Sequence, residues 1–547
     1  MKKIAPSILI IGIVLFALFL RTNKIASIPP ALSWDEVSIG YNAYSILKTG
    51  RDEHGRFLPI DTFVAYGDYK PPLAIYLTVP FIAAFGLNEL SIRLPSALFG
   101  TLTVLMTYFL VKELVKKYNR SALPLVSAAL LAVSPWHINL SRAGFEANIA
   151  LFFIVLGVYF ILRAREKYQL WYVAWLPFVA SIYTFNSARY FAPLFALVLF
   201  VFCLKDIQKH WKIFIIGVIA ALICLLPIIP HLISKEARLR FAEVNIFTDS
   251  SVVRTANERM AYDGNSLVGK IVHNRRFGYA LSYLRHFADN LQPSFLFIEG
   301  DGNPKFSTRV VGQLYIIEAP LLTIGILSMF AAYPKIAWIL LLWMIVAILP
   351  AATARETPHA LRILNSLPTW QIFIAFGIVS VVETVMRIQK KYTIVLRYAC
   401  IAILLSVYSF SVGYYLHNYY AHYAVKYSRE WQYGYREGIQ FAKTIESKYD
   451  TIYVSSSIGR PYMYTLFYTT YDPKEFIRIK DASFDSAGFY HVNGFGKYRF
   501  IESMTVGEIQ KKTLYITDPG WVPSNARILK TITLLDGTER LVVFDKP

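Results

Sequence analysis

Apolar runs of roughly 16 to 22 residues recur along the chain, about the length a helix needs to cross the hydrocarbon layer of a bilayer. They are bounded by basic clusters, "VKELVKKYNR", "RAREKYQ", "KDIQKHWK", "YPK" and "RIQKKY". Placing these clusters in the cytoplasm, together with the two lysines that open "MKKIAPSILIIGIVLFALFL", puts the N-terminus inside. The first run lacks a small-x-small cleavage signal and reads as an uncleaved anchor. Only one crossing then fits between Arg21 and Val111, and two segments compete for it. "RLPSALFGTLTVLMTYFL" is the better span, because "KPPLAIYLTVPFIAAFG" opens on a lysine and two prolines and contains Pro80. The loser is expected to lie along the outer interface.

Continuing by the same rule gives spans near 121–138, 147–163, 171–185, 189–204, 212–230, 314–332, 336–351, 369–386 and 394–416. With the first two this makes about eleven crossings, an odd number that leaves the C-terminus outside. The expected architecture is a polytopic α-helical membrane domain over 1–425, with outer loops 22–92 and 231–313, followed by a small extracytoplasmic α/β domain over 426–547. The hydrophobic pattern changes there. "GIQFAKTIESKYDTIYVSSS" predicts an amphipathic helix and then a strand, while "KKTLYITDP" and "ERLVVFD" predict further strands. No Gly-rich phosphate loop occurs in this tail, and a packing or substrate-guiding cap is its simplest role.

Composition sharpens the class. Of 547 residues, 55% are hydrophobic and 17% charged, which excludes an ordinary water-soluble enzyme. The net charge of +20 is accounted for largely by the orienting clusters and does not point to nucleic acid. All three cysteines, Cys203, Cys224 and Cys400, fall in expected spans, so neither a disulfide framework nor a cysteine metal cluster is available.

Acids are sparse, and the outer segments hold most of them. In "LSWDEVSIGYNAYSILKTG", Asp35 and Glu36 open a short helix expected to end at Gly50, beside apolar surface where an ionised group needs a partner. Lys70, in "GDYKPPLAIYL", is the natural partner and a point charge suited to a phosphate near headgroup level. Arg93, Arg142 and Arg189 lie at outer ends of spans, where orientation does not favour cations, and so point to an anionic ligand. Glu146 is available to pair with Arg142, bind a cation or orient a substrate. The turn "TARETPHALRILNSLP" adds Arg355, Glu356, His359 and Arg362. Asp35, Glu36 and Glu146 could hold a hard divalent cation such as Mg or Mn, but no ligand spacing demands one.

The ordered set "WDE", "YKPPLAIYL", "FGLNELSIRLPSAL", "SPWHINLSRAGFEAN", "NSARYFAP" and "PHALRILNSLP" resembles the GT-C glycosyltransferases. It is closest to the protein O-mannosyltransferase and aminoarabinose transferase group, glycosyltransferase family 39 and its bacterial relatives, over roughly residues 1–420. The resemblance implies transfer of a sugar from a polyprenyl phosphate, dolichyl or undecaprenyl, to a protein, lipid or glycan acceptor at the outer face of the cell membrane, with inversion. It gives Asp35, with Glu36 beside it, the role of catalytic base, and Lys70 and Arg93 that of donor-phosphate ligands; Arg142, Arg189, His359 and Arg362 complete the cationic pocket. Glu146 takes an acceptor-binding or metal-binding place. Such chemistry needs a proton acceptor and cations facing a lipid phosphate, and no nucleotide fold. The competing readings are a secondary transporter and a non-catalytic binder of lipid-linked sugars; few mid-depth charges and no repeat between halves weigh against the transporter.

Overall fold

In a computed structural model of the chain, residues 6–118, 120–234, 245–387, 393–485, 490–502 and 510–546 are described. The N-terminal lysines, the basic stretch 388–392 and part of the outer loop 231–313 lie outside the described residues. The chain divides into two compact units: one of Met1–Leu20, Phe99–Leu140 and Ala147–Tyr415, the other of Arg21–Leu98, Ser141–Glu146 and Leu416–Pro547.

Among the described residues, seven helices are long and apolar enough to cross a membrane: Glu89–Leu114, Glu146–Ala164, Ala188–Lys209, Trp211–Leu232, Pro334–Ala351, Leu364–Arg387 and Arg397–Lys426. A further pair, Leu123–Val133 and Pro135–Arg142, is bent by 55° and counts as an eighth if it forms one span. Shorter apolar helices cover Pro6–Thr22, Leu73–Phe85 and Glu318–Ala332. The chain is a multi-pass membrane protein. The helix over Leu73–Phe85 has only 13 residues, short of the crossing length. The segment 171–185, expected as a span, is a short 3-10 turn over Tyr168–Tyr172 followed by a seven-residue helix, Leu176–Ile182. Pro177 near the start of that helix fits a helix beginning afresh, since proline's missing N–H is not needed there.

In the first unit, two buried indoles have their polar ends satisfied, Trp136 Nε1 by Ala360 O at 3.1 Å and Trp343 Nε1 by Asn365 O at 2.7 Å. Two glycines set one close helix crossing. A Cβ on Gly325 would stand 1.8 Å from Phe373 O, and one on Gly377 would stand 2.0 Å from Leu321 O. Helices Glu318–Ala332 and Thr369–Arg387 therefore meet backbone to backbone, the way small residues bring helices together where lipid offers no hydrophobic drive.

The second unit has a different grammar. A hairpin, β1 (Phe63–Ala65) and β2 (Asp68–Lys70), precedes a seven-stranded mixed sheet in the tail. The sheet comprises β3 (Thr451–Ser455), β4 (Asp481–Phe484), β5 (Tyr490–Phe495), β6 (Tyr498–Ile501), β7 (Thr513–Thr517), β8 (Arg527–Thr533) and β9 (Glu539–Asp545), in the order β4-β5-β6-β3-β7-β9-β8. β3 runs parallel to both β6 and β7, and the outer pairs are antiparallel. The apolar face of helix Tyr435–Ile445 supplies Ile439 and Ala442 to the same core as Ile452, Leu514 and Val543. That core continues through helix Pro461–Thr469 into helix Trp34–Thr49, whose Val37, Ile39, Tyr41 and Ala43 are buried with Met463, Leu466 and Phe467. The tail and the first outer loop are thus one hydrophobic body. Tyr464 donates to Leu32 O at 2.9 Å and Tyr41 to Tyr471 O at 3.1 Å across it.

Polar groups are also buried in this body. Glu53 is fully buried; Asn42 Nδ2 donates to its Oε1 at 3.4 Å, Tyr462 OH to its Oε2 at 3.4 Å, and Lys480 Nζ to its main-chain oxygen at 2.8 Å. Burial pushes the Glu53 carboxyl up to about 8, against the pull of Lys480. Burial also lowers His54 to about 4, with Lys480 acting in the same direction. The 3.8 Å approach of His54 Nε2 to Glu53 is therefore one between neutral groups near pH 7.

Candidate functional site

Helix Trp34–Thr49 starts with a capping box: Glu36 N donates to Ser33 Oγ at 3.4 Å and Ser33 N to Glu36 Oε2 at 2.8 Å. It stops at Gly50, which takes the left-handed conformation with φ 68°. The cap orients the two adjacent acids differently. Asp35 keeps about a third of its side chain exposed, whereas Glu36 has none.

Lys70 ends the hairpin. Its register sets Phe63 opposite Lys70 and Ala65 opposite Asp68, and both turn residues, Tyr66 and Gly67, have positive φ, as a tight two-residue hairpin turn requires. The turn is anchored to the acid-bearing helix, since Tyr66 OH donates to Trp34 O at 2.8 Å. As a result Lys70 Nζ lies 2.6 Å from Asp35 Oδ1, 3.6 Å from Glu146 Oε1 and 3.8 Å from Asp68 Oδ2. Burial alone would lower the Lys70 pKa, but Asp35, Glu146 and Asp68 outweigh it and raise it well above the ordinary lysine value. The ammonium stays charged. Asp35 and Asp68 are the partly exposed acids of this cluster, and Glu146 lies deeper.

Glu36 and Arg93 form a second, wholly internal pair. Arg93 Nε donates to Glu36 Oε1 at 2.9 Å, and the same oxygen accepts from Gly144 N at 2.9 Å. The remaining Arg93 donors go to Ile25 O at 2.9 Å, Pro29 O at 2.8 Å and Ala31 O at 2.5 Å. Arg142 behaves alike: it donates to Tyr419 and Tyr420 hydroxyls at 3.1 and 3.2 Å and to Asn23 O and Ile28 O at 2.7 and 3.0 Å, with both tyrosine rings within 5.2 Å of its guanidinium. Gly144 has no room for a side chain; a Cβ would meet Ile92 Cγ2 at 3.1 Å and Glu36 Cγ at 3.2 Å.

The structure thus brings together Asp35, Lys70 and Glu146, and separately Glu36, Arg93 and Arg142, all in the second unit. Glu36 and Arg93 depart from the sequence expectation of groups offered to a ligand, because each spends its hydrogen bonds on the protein. Arg189, His359 and Arg362 belong to the first unit. There His359 N donates to Asn290 Oδ1 at 3.0 Å, and burial lowers the ring pKa to about 3, with Arg362 adding to it. Arg362 donates to Glu356 O at 3.1 Å, and its own main-chain oxygen accepts from Ser187 Oγ at 3.1 Å, one residue before the helix that carries Arg189.

Sequence reasoning missed Asp68 and Gly144. The signal for the first was the strand-turn-strand pattern of "FVAYGDYK" with its glycine; for the second it was a glycine between Arg142 and Glu146. Among the described residues no group of three or more His, Cys, Asp or Glu side chains is placed to hold a metal ion. Asp35, Asp68 and Glu146 are gathered round the Lys70 ammonium.

Residues 69–233 match the family model described as dolichyl-phosphate-mannose-protein mannosyltransferase. The protein of Bacillus subtilis (strain 168) named "Putative mannosyltransferase YycA" is 26% identical over 145 residues, 26% of this chain and 21% of that protein, so the match spans about a fifth of the relative. Among solved structures, ArnT from Cupriavidus metallidurans bound to undecaprenyl phosphate aligns with a TM-score of 0.52 at 12% identity, covering 98% of this chain and 97% of that one. The oligosaccharyltransferase AglB of Archaeoglobus fulgidus, in complex with an inhibitory peptide and a dolichol-phosphate, aligns with a TM-score of 0.51 at 12% identity, covering 84% of this chain and 63% of that one. The chain shares the fold of these two structures, and its residues 69–233 match the model of the dolichyl-phosphate-mannose-protein mannosyltransferase family.

Proposed function

We propose that the chain transfers a sugar from a polyprenyl phosphate to an acceptor at the outer face of the cell membrane, with inversion at the anomeric carbon. The observation that carries this reading is Lys70 Nζ held 2.6 Å from a partly exposed Asp35 and 3.6 Å from Glu146. The acceptor, on a protein, lipid or glycan, attacks the anomeric carbon through its oxygen or nitrogen as the bond to the phosphate oxygen breaks. Its proton passes to Asp35, and the prenyl phosphate departs with the bonding pair. Lys70 meets the charge growing on that phosphate, in a site where burial keeps water from screening it. Drawing the ammonium toward the phosphate also withdraws it from Asp35 and frees the carboxylate to accept a proton. Glu146 then orients the lysine or the acceptor, and Asp68 joins it as a group acting through Lys70.

Glu36, Arg93 and Arg142 are positioning residues in this reading, since their donors and acceptors are taken up internally. Arg189, His359 and Arg362 keep the proposed role of donor-phosphate ligands. No step is routed through a divalent cation. The topology that goes with this function has the N-terminus in the cytoplasm and the tail of 426–547 outside. Support comes from the family match over 69–233 and from the two solved structures of similar fold, one bound to undecaprenyl phosphate and the other in complex with a dolichol-phosphate.

The test is transfer of radiolabelled mannose from polyprenyl-phosphate-mannose by the full chain in proteoliposomes. Loss of transfer in Asp35→Asn and Lys70→Ala, with unchanged melting, is the expected result. Undiminished transfer by Asp35→Asn would overturn the assignment of the base.

A further inference from the structure

After the span Trp211–Leu232, the first unit carries the helices Ser250–Tyr262, Leu267–Val272 and Arg275–Asp289, none of which is long and apolar enough to cross a membrane. The last two are amphipathic in an unusual sense, because their apolar residues face outward. Leu267, Val268, Ile271, Phe277, Leu281 and Leu284 are between 47% and 77% exposed. Phe277, Leu281, Leu284 and Ala288 recur at helical spacing and make one continuous ridge. A different stripe holds the helix down. Tyr279 OH donates to Asp249 O at 3.3 Å, Tyr283 OH to Leu349 O at 3.1 Å, and His286 Nδ1 to Ala354 O at 2.8 Å.

These tethers fix the depth of the helix. Leu349 lies in the last turn of Pro334–Ala351, and Ala354 lies in the link to Leu364–Arg387, so the helix is tied to the end of a hydrocarbon-crossing pair. An apolar ridge at that level meets acyl chains rather than open water. The charge is equally one-sided. From Leu267 to Ala288 the sequence holds Lys270, Arg275, Arg276 and Arg285 and no acid, and all four cations are exposed.

We propose that helices Leu267–Val272 and Arg275–Asp289 form an interfacial arm that sinks its apolar ridge into one leaflet and pairs its four cations with anionic lipid headgroups. The arm has a second consequence inside its own unit. Thr357 Oγ1 donates to Asp289 Oδ2 at 2.8 Å and His359 N to Asn290 Oδ1 at 3.0 Å, so the same helix holds the turn that bears His359 and Arg362. Lipid under the arm therefore steadies that turn. This inference is independent of the transferase reading.

The test uses the full chain with Cys203, Cys224 and Cys400 replaced by serine and Leu284→Cys carrying an environment-sensitive fluorophore. The labelled protein is placed in nanodiscs of phosphatidylcholine, alone or with phosphatidylglycerol. The expected result is quenching by doxyl groups on the lipid and protection from aqueous iodide in discs containing phosphatidylglycerol. Both effects should weaken in phosphatidylcholine alone, at high salt, and in the triple variant Arg275→Gln, Arg276→Gln, Arg285→Gln. Free access of iodide in both lipids would overturn the proposal. So would shielding from both quenchers, which would mark a protein partner on the ridge, or lipid contact indifferent to headgroup charge. A second label at Phe277→Cys repeats the reading about two helical turns away if Leu284→Cys does not fold.

Discussion

Lys70 Nζ and Asp35 Oδ1 stand 2.6 Å apart, joined by a hairpin and a helix that are themselves fastened through Tyr66 and Trp34. In the proposed reaction this ion pair, a third exposed on the acid side, is exchanged for the donor phosphate. Replacing Asp35 by asparagine keeps the shape and removes the proton acceptor. Transfer in proteoliposomes should fall by about 10²–10⁴ in kcat with little change in donor KM, whereas Lys70→Ala should also raise the donor KM.

The Glu36–Arg93 pair calls for a different experiment. Arg93→Met would leave Glu36 buried against two main-chain N–H groups, of Ser33 and Gly144, with no cation, and such a break costs about 3–5 kcal/mol. The melting temperature of the detergent-solubilised protein should drop accordingly. Glu36→Gln, which can still accept from Gly144 N, should lose less. Arg93→Lys should not rescue, because an ammonium cannot reach Glu36 and three carbonyls laid out for a planar fork.

Gly144→Val tests how tightly this pair is enclosed. The new side chain would press on Ile92 and on Glu36 Cγ and displace the N–H that Glu36 Oε1 accepts from. Reduced expression of folded protein and a loss of transfer are expected, with Gly144→Ala intermediate, since its Cβ needs shifts of only a few tenths of an ångström.

Titration of the Glu53 cluster sets a pH signature for stability. Between the ordinary carboxyl value near 4.5 and about 8, the folded chain holds a proton on Glu53 that the unfolded chain has released, so stability falls as pH rises. His54 acts oppositely between about 6.5 and 4, where the unfolded chain takes up a proton that the folded one refuses. The two offset each other between about 4.5 and 6.5, and the fall due to Glu53 stands alone from about 6.5 to 8. That decline amounts to about 2 kcal/mol. Thermal melts across this range should flatten in Glu53→Gln.

The nearness of Lys70 to Asp35 was legible in the sequence because a charge beside apolar surface needs a counter-charge, and few were on offer. The helix ending at Gly50 and the strands of "KKTLYITDP" and "ERLVVFD" were legible from period and turn chemistry. The use made of Arg93 was not. Its partners are three main-chain oxygens and an acid 57 residues away, and a carbonyl carries no letter in the sequence. Burial of helix Trp34–Thr49 against the tail was equally hidden, since its mixed pattern reads as half-exposed until Met463, Leu466 and Phe467 arrive from more than 400 residues on.

Arg93 and Arg142 hold the main-chain oxygens of Asn23, Ile25, Ile28, Pro29 and Ala31. The path of the chain into the acid-bearing helix is gripped by groups that every residue carries, while the buried side chains of Ile25, Ile28 and Ala31 limit what can stand between them. Letters can therefore change at the exposed Ala26 and Ser27 while the two guanidiniums keep the route.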